Sequence, residues 1–188
     1  IVEQGLESVI TVRGTVKACF SNSGQLCISI ERVYVHRGAW DRFVPALVRA
    51  AESLRVGATM GWGADMGPLI SAEHLARVHA HVADAVAGGA TVLTGGRALP
   101  EVGPTAYAPT LLTGVTEGME VFAAETFGPV ASLYRVSDDA QGPVVDDHPG
   151  QARHRPAPPP GGEVAGELQG FGVGDADEGF VDFGVDLF

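Results

Sequence analysis

The stretch that decides the fold is Phe20-Ser21-Asn22-Ser23-Gly24-Gln25-Leu26-Cys27, because a helical pattern ends in it and a cysteine stands at its far end. A nucleophilic cysteine must be reachable by substrate, held still, and surrounded by donors that favour the thiolate and then an oxyanion. The glycine-bearing turn supplies close backbone approach and free N–H groups. The octet is therefore a candidate nucleophile site, although spacing alone favours the competing interpretation of a small buried cysteine.

Outward from the octet, helical and strand patterns alternate, and this alternation predicts an α/β fold. Residues 7–20 place apolar side chains at helical spacing, and Arg32–His36 has the β-branched and aromatic content typical of a strand. The further predicted helices are 39–55 and one that begins after Ser71 and stops at Gly88-Gly89, and the further predicted strands are 91–94, 107–115 and 130–136.

Three details of these elements are specific enough to be checked. Asp41 is the expected cap of the second helix, which would leave Pro45 near its first turn, where proline is tolerated. Val86 is expected to end the apolar stripe of the third helix. Pro109 indicates an edge position for the strand that contains it.

The chain changes character after Val136. Residues 1–137 hold 12 acidic and 10 basic side chains, whereas residues 138–188 hold 11 acidic and 2 basic ones together with 10 glycines and 6 prolines. We therefore expect an α/β unit over 1–137 and a disordered, low-complexity acidic tail over 138–188. A reading-frame change shortly after Val136 would explain the break, and a recognisable continuation in neither of the other two frames would rule it out.

Composition limits which classes of partner and which cellular compartment are expected. A net charge of −11 argues against nucleic acid or an anionic membrane surface. No stretch approaches the roughly 18 apolar residues of a membrane span, and no basic region followed by an apolar core suggests a secretory signal. Only two cysteines occur, so a reducing cytoplasm is the expected location.

Six ordered segments resemble motifs of the aldehyde dehydrogenase superfamily, beginning with the octet, which resembles F-x-N-x-G-Q-x-C. The other five are residues 32–35 (RVYV, the strand after the nucleophile), 66–71 (MGPLIS, for M-G-P-L-I), 89–96 (GATVLTGG, for G-A-x-x-x-x-G-G), 107–112 (YAPTLL, for Y-x-P-T-L-L) and 125–130 (ETFGPV, for E-x-F-G-P-V). Each is weak alone, but six in order across about 125 residues are specific. The octet and residues 66–71 most resemble bacterial succinate-semialdehyde dehydrogenases.

The resemblance implies a chemistry and a set of site residues. In that family the motif cysteine attacks a small aldehyde, a hydride passes to NAD or NADP, and water hydrolyses the resulting thioester. It implies that Cys27 is the nucleophile and that its own N–H is an oxyanion donor. Glu125 would hold the nicotinamide ribose, Phe127 would pack at the nicotinamide end of the cofactor, and Asn22 and Leu26 would lie near the substrate channel. Full-length relatives are expected to be homo-oligomers.

The resemblance also implies parts that these residues do not supply. The family's glycine-rich dinucleotide-binding region and the general-base glutamate of its E-L-G-G-K-type motif would precede Ile1, and the side-chain amide of its oxyanion hole is missing. Glu3 and Glu7 are the acids before the octet, and neither has flanking glycines. The alternative is therefore an inactive, truncated fragment.

The other candidate residues carry weaker hypotheses. Cys19 lies on the apolar side of its helix and is expected to be structural. His74, His79 and His81 face different directions or lie too far apart for easy chelation, so no metal site is expected. A cysteine–histidine hydrolase or a redox sensor remains as an alternative, but no motif ties a histidine to Cys27.

Overall fold

The computed structural model describes residues 9–58, 63–137 and 144–145. In chain order the elements are α1 (Val9–Phe20), a single 3₁₀ turn (Ser21–Gly24), β1 (Arg32–His36), α2 (Arg37–Glu52), α3 (Ala72–Ala87), β2 (Thr91–Thr94), β3 (Thr110–Thr113), α4 (Glu120–Ala123), β4 (Val130–Ser137) and β5 (Val144–Val145). The predicted α/β class is confirmed, and the predicted strands at 32–36 and 91–94 are reproduced residue for residue.

The sheet is built around β4, which has a parallel neighbour on each side. The strand order is β1-β4-β3-β2, with β2 antiparallel to β3 and β5 antiparallel to the end of β4. In register, Val33 lies opposite Leu133, and Leu112 lies opposite Ser132. The sheet therefore joins the next strand after the octet to the next strand after the Glu125–Phe127 loop.

Helices cover both faces of this sheet. Side chains alternate across a strand, so neighbouring residues of β3 and β4 enter different cores. The core shared with α1 and α2 contains Val33, Val35, Leu111, Ala131 and Leu133, and the core shared with α3 contains Leu112, Val130, Tyr134, Val78 and Val82. Burial of apolar area on both faces is what makes the three layers stable.

The start of α2 differs from the expectation. The helix follows β1 directly, and His36 caps it by accepting a hydrogen bond from Gly38 N to Nδ1 at 3.0 Å, so the prediction of Asp41 as the cap is wrong. Pro45 consequently lies in the middle of the helix. It is exposed, so the carbonyl that loses its N–H partner can be hydrated, which reduces the cost of an interior proline.

Two further expectations are corrected. β3 lies between β2 and β4, so the strand after Pro109 is not at an edge. Pro109 stands just before the first ladder residue, where its missing N–H costs no bond. On α3, Ala85 takes the buried position in place of Val86, which is 48% exposed. Residues three and four positions after Val82 both lie next to it on the helix. The core covers the first of them, Ala85, and leaves Val86 half exposed.

Ser71 caps α3 as expected, since its side chain accepts from His74 N. The disordered tail expected over 138–188 falls almost wholly outside the described residues, as do residues 7 and 8 of the first predicted helix. Within the described ranges, no helix is both long and apolar enough to cross a bilayer.

The two valines of α3 give a matched test of this packing. Val78 is fully buried and Val86 is half exposed. We expect Val78→Ala to lower the free energy of unfolding by about 2 kcal/mol, because two methyl groups leave a filled core. Val86→Ala should change it by less than about 0.5 kcal/mol. Urea denaturation followed by circular dichroism measures both, and equal losses would contradict the assigned face of α3.

Candidate active site

α1 ends in a left-handed turn that carries the chain from the helix towards Cys27. Asn22, Ser23 and Gly24 have φ values of 50°, 59° and 69°. For residues other than glycine this region costs roughly 1–2 kcal/mol, although asparagine visits it more readily. Ser23 is held there because its Oγ donates to Gly67 O at 2.6 Å. The turn is thus fixed by its surroundings rather than by local preference.

Gln25 ties the same turn to the loop that precedes α3. Its Nε2 donates to Asn22 O at 3.2 Å and to Pro68 O at 3.3 Å, while its Oε1 accepts from Ile70 N at 2.9 Å. One amide side chain therefore holds both segments in register. This contact gives a structural reason for the glutamine of the octet and for its place beside residues 66–71.

Gly24 brings the turn against the backbone of a third segment. A Cβ built on Gly24 would lie 2.0 Å from Gly128 O and 2.6 Å from Gly128 C. No side chain fits in that space, and the positive φ independently favours glycine. Gly128 is itself enclosed, because a Cβ there would lie 2.6 Å from a methyl carbon of Val78. The octet and the Glu125–Phe127 loop are therefore adjacent.

Cys27 lies in a turn two residues past Gln25, and it is exposed. Ser29 N donates to Leu26 O at 2.9 Å and closes this turn. Among the described residues, the N–H of Cys27 has no hydrogen-bond partner and remains free to donate to an oxyanion. Leu26 is half-buried, and Asn22 is exposed with Nδ2 donating to Gln25 O at 3.3 Å.

Cys19 has the opposite environment. It is 1% exposed on the inner side of α1, as expected, and burial raises the pKa of its thiol to about 12. A thiol with that pKa stays protonated near neutral pH and is a poor nucleophile. The buried-cysteine interpretation therefore applies to Cys19, and the exposed turn presents Cys27 alone of the two.

The loop between α4 and β4 carries the two residues expected at the cofactor. Glu125 is exposed, and Phe127 is half-buried with a φ of 53°. A left-handed aromatic residue is strained, so other groups must hold it. Neither residue hydrogen-bonds Cys27 within the described part of the chain; the adjacency of the two segments comes from Gly24 and Gly128.

Sequence reasoning missed the two residues that hold Phe127. The carboxylate of Glu31 accepts from Thr126 N at 3.2 Å and from Phe127 N at 2.7 Å. His74, which is 7% exposed, donates from Nε2 to Phe127 O at 2.7 Å, since a carbonyl can only accept. Arg77 Nη2 then donates to His74 Nδ1 at 2.7 Å. In the sequence, Glu31 is an acidic residue just before a predicted strand, and nothing there distinguishes it from an acid that faces solvent.

Arg32 holds the segment before this loop. Its guanidinium donates to Phe122 O and lies over the Phe122 ring, 4.6 Å from the centroid. Phe122 also packs edge-on against Tyr134 of β4, with ring centroids 6.3 Å apart. Two successive residues at the entry to β1 therefore anchor α4 and the loop that follows it, through Arg32 and Glu31 respectively.

The three histidines of α3 have separate partners. His74 bonds Phe127 O, His79 Nδ1 lies 3.2 Å from Tyr107 OH, and His81 Nδ1 lies 3.2 Å from Thr126 Oγ1. In the ranges that the structure describes, no group of three or more His, Cys, Asp or Glu side chains could hold a metal ion. A cleft of about 300 Å³ opens beside the loop and is lined by Ile70, Ser71, Glu73, His74 and Arg77.

These features define a class, namely an α/β domain that presents an exposed cysteine on a fixed turn between a helix and a strand. The model of the aldehyde dehydrogenase family matches residues 1–144. The chain belongs to the aldehyde dehydrogenase family.

Individual relatives place the chain within that family. A Mycolicibacterium smegmatis protein, provisionally named an NADP(+) succinate-semialdehyde dehydrogenase, is 48% identical over 141 residues, which are 75% of this chain and 27% of the relative. The crystal structure of succinate-semialdehyde dehydrogenase from Burkholderia pseudomallei matches at a TM-score of 0.64 and 39% identity, over 68% of this chain and 26% of that one. Aldehyde dehydrogenase 21 from Physcomitrella patens, in complex with the reaction product succinate, matches at a TM-score of 0.65 and 31% identity, over 69% of this chain and 26% of that one. The chain thus spans about a quarter of its relatives' length.

Two glycines test the close approach of the octet to Gly128. Gly24→Ala should lower the free energy of unfolding by more than about 2 kcal/mol, because the new methyl meets Gly128 O and the left-handed φ is unfavourable. The control is Gly14→Ala, because a Cβ at Gly14 would meet no atom within 4 Å and the residue lies inside α1. This substitution should raise the free energy of unfolding by about 0.5–1 kcal/mol. Thermal and urea unfolding measure both. Similar effects at the two positions would show that Gly24 needs no special space.

Proposed function

We propose that the chain supplies the nucleophile and part of the cofactor site for oxidation of a small aldehyde to a carboxylic acid, with NAD or NADP as hydride acceptor. The observation that carries this proposal is Cys27, an exposed thiol on a fixed turn with a free backbone N–H, at the position of the family's motif cysteine. Family membership supports the reaction class, and the names of the relatives support NADP(+) as a cofactor.

The chemistry proceeds through two covalent states of Cys27. The thiolate sulfur bonds to the aldehyde carbon, and the carbonyl electron pair moves to oxygen, where the N–H of Cys27 can donate to the oxyanion. NAD or NADP, which Glu125 and Phe127 would hold, would supply the hydride acceptor needed to convert the thiohemiacetal into the thioester. Water then attacks the thioester, the carbon–sulfur bond breaks, and the carboxylic acid and the free thiol are released.

Glu125 and Phe127 would hold the cofactor. Glu125 offers an exposed carboxylate, which suits hydrogen bonds from the ribose hydroxyls, and Phe127 offers an aromatic ring that is half-buried and therefore partly available to a nicotinamide. Their loop lies against the octet through Gly24 and Gly128. Asn22 and Leu26, on the same turn as Cys27, would line the substrate channel.

We propose succinate semialdehyde as the first substrate to test. The support comes from the names of the Mycolicibacterium and Burkholderia relatives and from the succinate bound to the Physcomitrella enzyme. The octet itself contains no arginine to pair with a substrate carboxylate, and the nearby Arg32 already binds Phe122. Groups that recognise the far end of the substrate would therefore come from outside the octet.

Removal of the Cys27 thiol tests the reaction. With succinate semialdehyde and NADP(+), we expect absorbance at the wavelength of the reduced nicotinamide to rise with the full chain, and Cys27→Ala to lower that rate by at least about 10³-fold. Cys19→Ala is the matched control, because the Cys19 thiol is buried and its loss should leave the rate nearly unchanged.

Alkylation of the folded chain separates the possible outcomes. Equal rates for the wild type and Cys27→Ala would remove the enzymatic proposal. Rapid iodoacetamide labelling at Cys27 without any cofactor reduction would instead favour the alternative, a fragment whose nucleophile is presented but does not turn over.

A further inference from the structure

We infer that Glu31 is a positioning residue, which orients Phe127 and Glu125 for the cofactor through the Thr126 and Phe127 N–H groups. Both carboxylate oxygens are engaged, one with each neighbouring amide, at 3.2 Å to Thr126 N and 2.7 Å to Phe127 N. Hydrogen bonds to an ionised acceptor are about twice as strong as neutral ones and fix the direction of the donor. Glu31 thus aims two successive peptide groups.

The peptide of Phe127 is held from two independent elements. Glu31 lies just before β1 and binds the N–H, while His74 of α3 binds the C=O at 2.7 Å. The φ of 53° is a conformation that phenylalanine rarely adopts, so the two bonds maintain it. A loop that only needed to be closed would not require a charged acceptor and a buried histidine at one residue.

Glu31 is also rigid at its own backbone. Ser132 N donates to Glu31 O at 2.8 Å, which joins the residue to β4, the central strand. Glu31 follows Cys27 by four residues along the chain. The same short segment therefore presents the nucleophile at one end and fixes the cofactor loop at the other, and the bond from Ser132 N joins the second end to the sheet.

This inference rests on the proposed function for its consequence. If Phe127 and Glu125 contact the nicotinamide end of the cofactor, loss of the Glu31 carboxylate should weaken cofactor binding while leaving the Cys27 thiol in place. Misplacement of a positioning group by about 1 Å can cost up to ~10²-fold in reaction rate. We therefore expect the Kd for NADP(+) to rise in Glu31→Ala and kcat/KM for NADP(+) to fall by roughly ten- to a hundredfold.

The first readout does not depend on cofactor or turnover. In amide NMR spectra of the full chain, the N–H protons of Thr126 and Phe127 should be shifted downfield and protected from exchange, because each is bonded to a carboxylate. Glu31→Ala should remove both effects, and Glu31→Gln should keep only the bond that its single carbonyl oxygen can accept. Glu117→Gln is the control of equal charge change, since Glu117 is exposed and lies outside the Glu125–Phe127 loop.

Two results would overturn the inference. One is unchanged Thr126 and Phe127 amide signals in Glu31→Ala. The other is wild-type affinity for NADP(+) in Glu31→Ala when the amide signals have moved. If the wild-type chain itself binds no NADP(+), the proposed cofactor roles fail, and the amide signals still decide whether Glu31 holds the loop.

Discussion

The contact between the backbones of Gly24 and Gly128 is the constraint on which the rest of the site depends. Gly24 ends the left-handed turn after α1, and Gly128 precedes β4, so two segments more than 100 residues apart share a space that admits no Cβ. Ser23 and Gln25 reinforce the same approach by binding the loop before α3. This contact sets the cysteine turn directly against the residue that follows the Glu125–Phe127 loop.

The sheet explains why these loops can be held so closely. β1 follows the octet, β4 follows the Glu125–Phe127 loop, and the two strands are parallel neighbours. Their starts therefore lie at the same edge, which places both preceding loops together. Helices pack on each face of the sheet, so strain in the turn and at Phe127 is balanced by burial elsewhere in the domain.

Much of this could be predicted from the sequence, because the informative signals were local. The strand at Arg32–His36, the cap at Ser71 and the buried side of Cys19 all follow from residue type and spacing. The start of α2 was mistaken because Asp41 has a better capping side chain than His36, and only the three-dimensional link from β1 makes His36 the cap. The edge position predicted from Pro109 was wrong for a similar reason. Proline is tolerated just before the first ladder residue of a central strand, and it would be excluded one residue later.

The candidate site was predictable only in part. The octet and the Glu125–Phe127 motif could be found by resemblance, but Glu31 and His74 act through contacts with residues 53 to 96 positions away. A half-buried glutamate and a helical histidine have many ordinary uses, so their chemistry becomes evident only when the fold brings the Phe127 peptide between them. Long-range hydrogen bonds to backbone groups leave no pattern in a single sequence.

The pairing of β1 with β4 also sets an order of events during synthesis. Residues 32–36 cannot find their partner until residues 130–137 have been made, which at 5–20 residues per second takes ~5–20 s. Throughout that interval Gly24 has no Gly128 backbone to pack against, so the turn before Cys27 is not yet held by the rest of the domain. The pairing that fixes the mature turn therefore leaves it without support for a defined period in the life of each molecule.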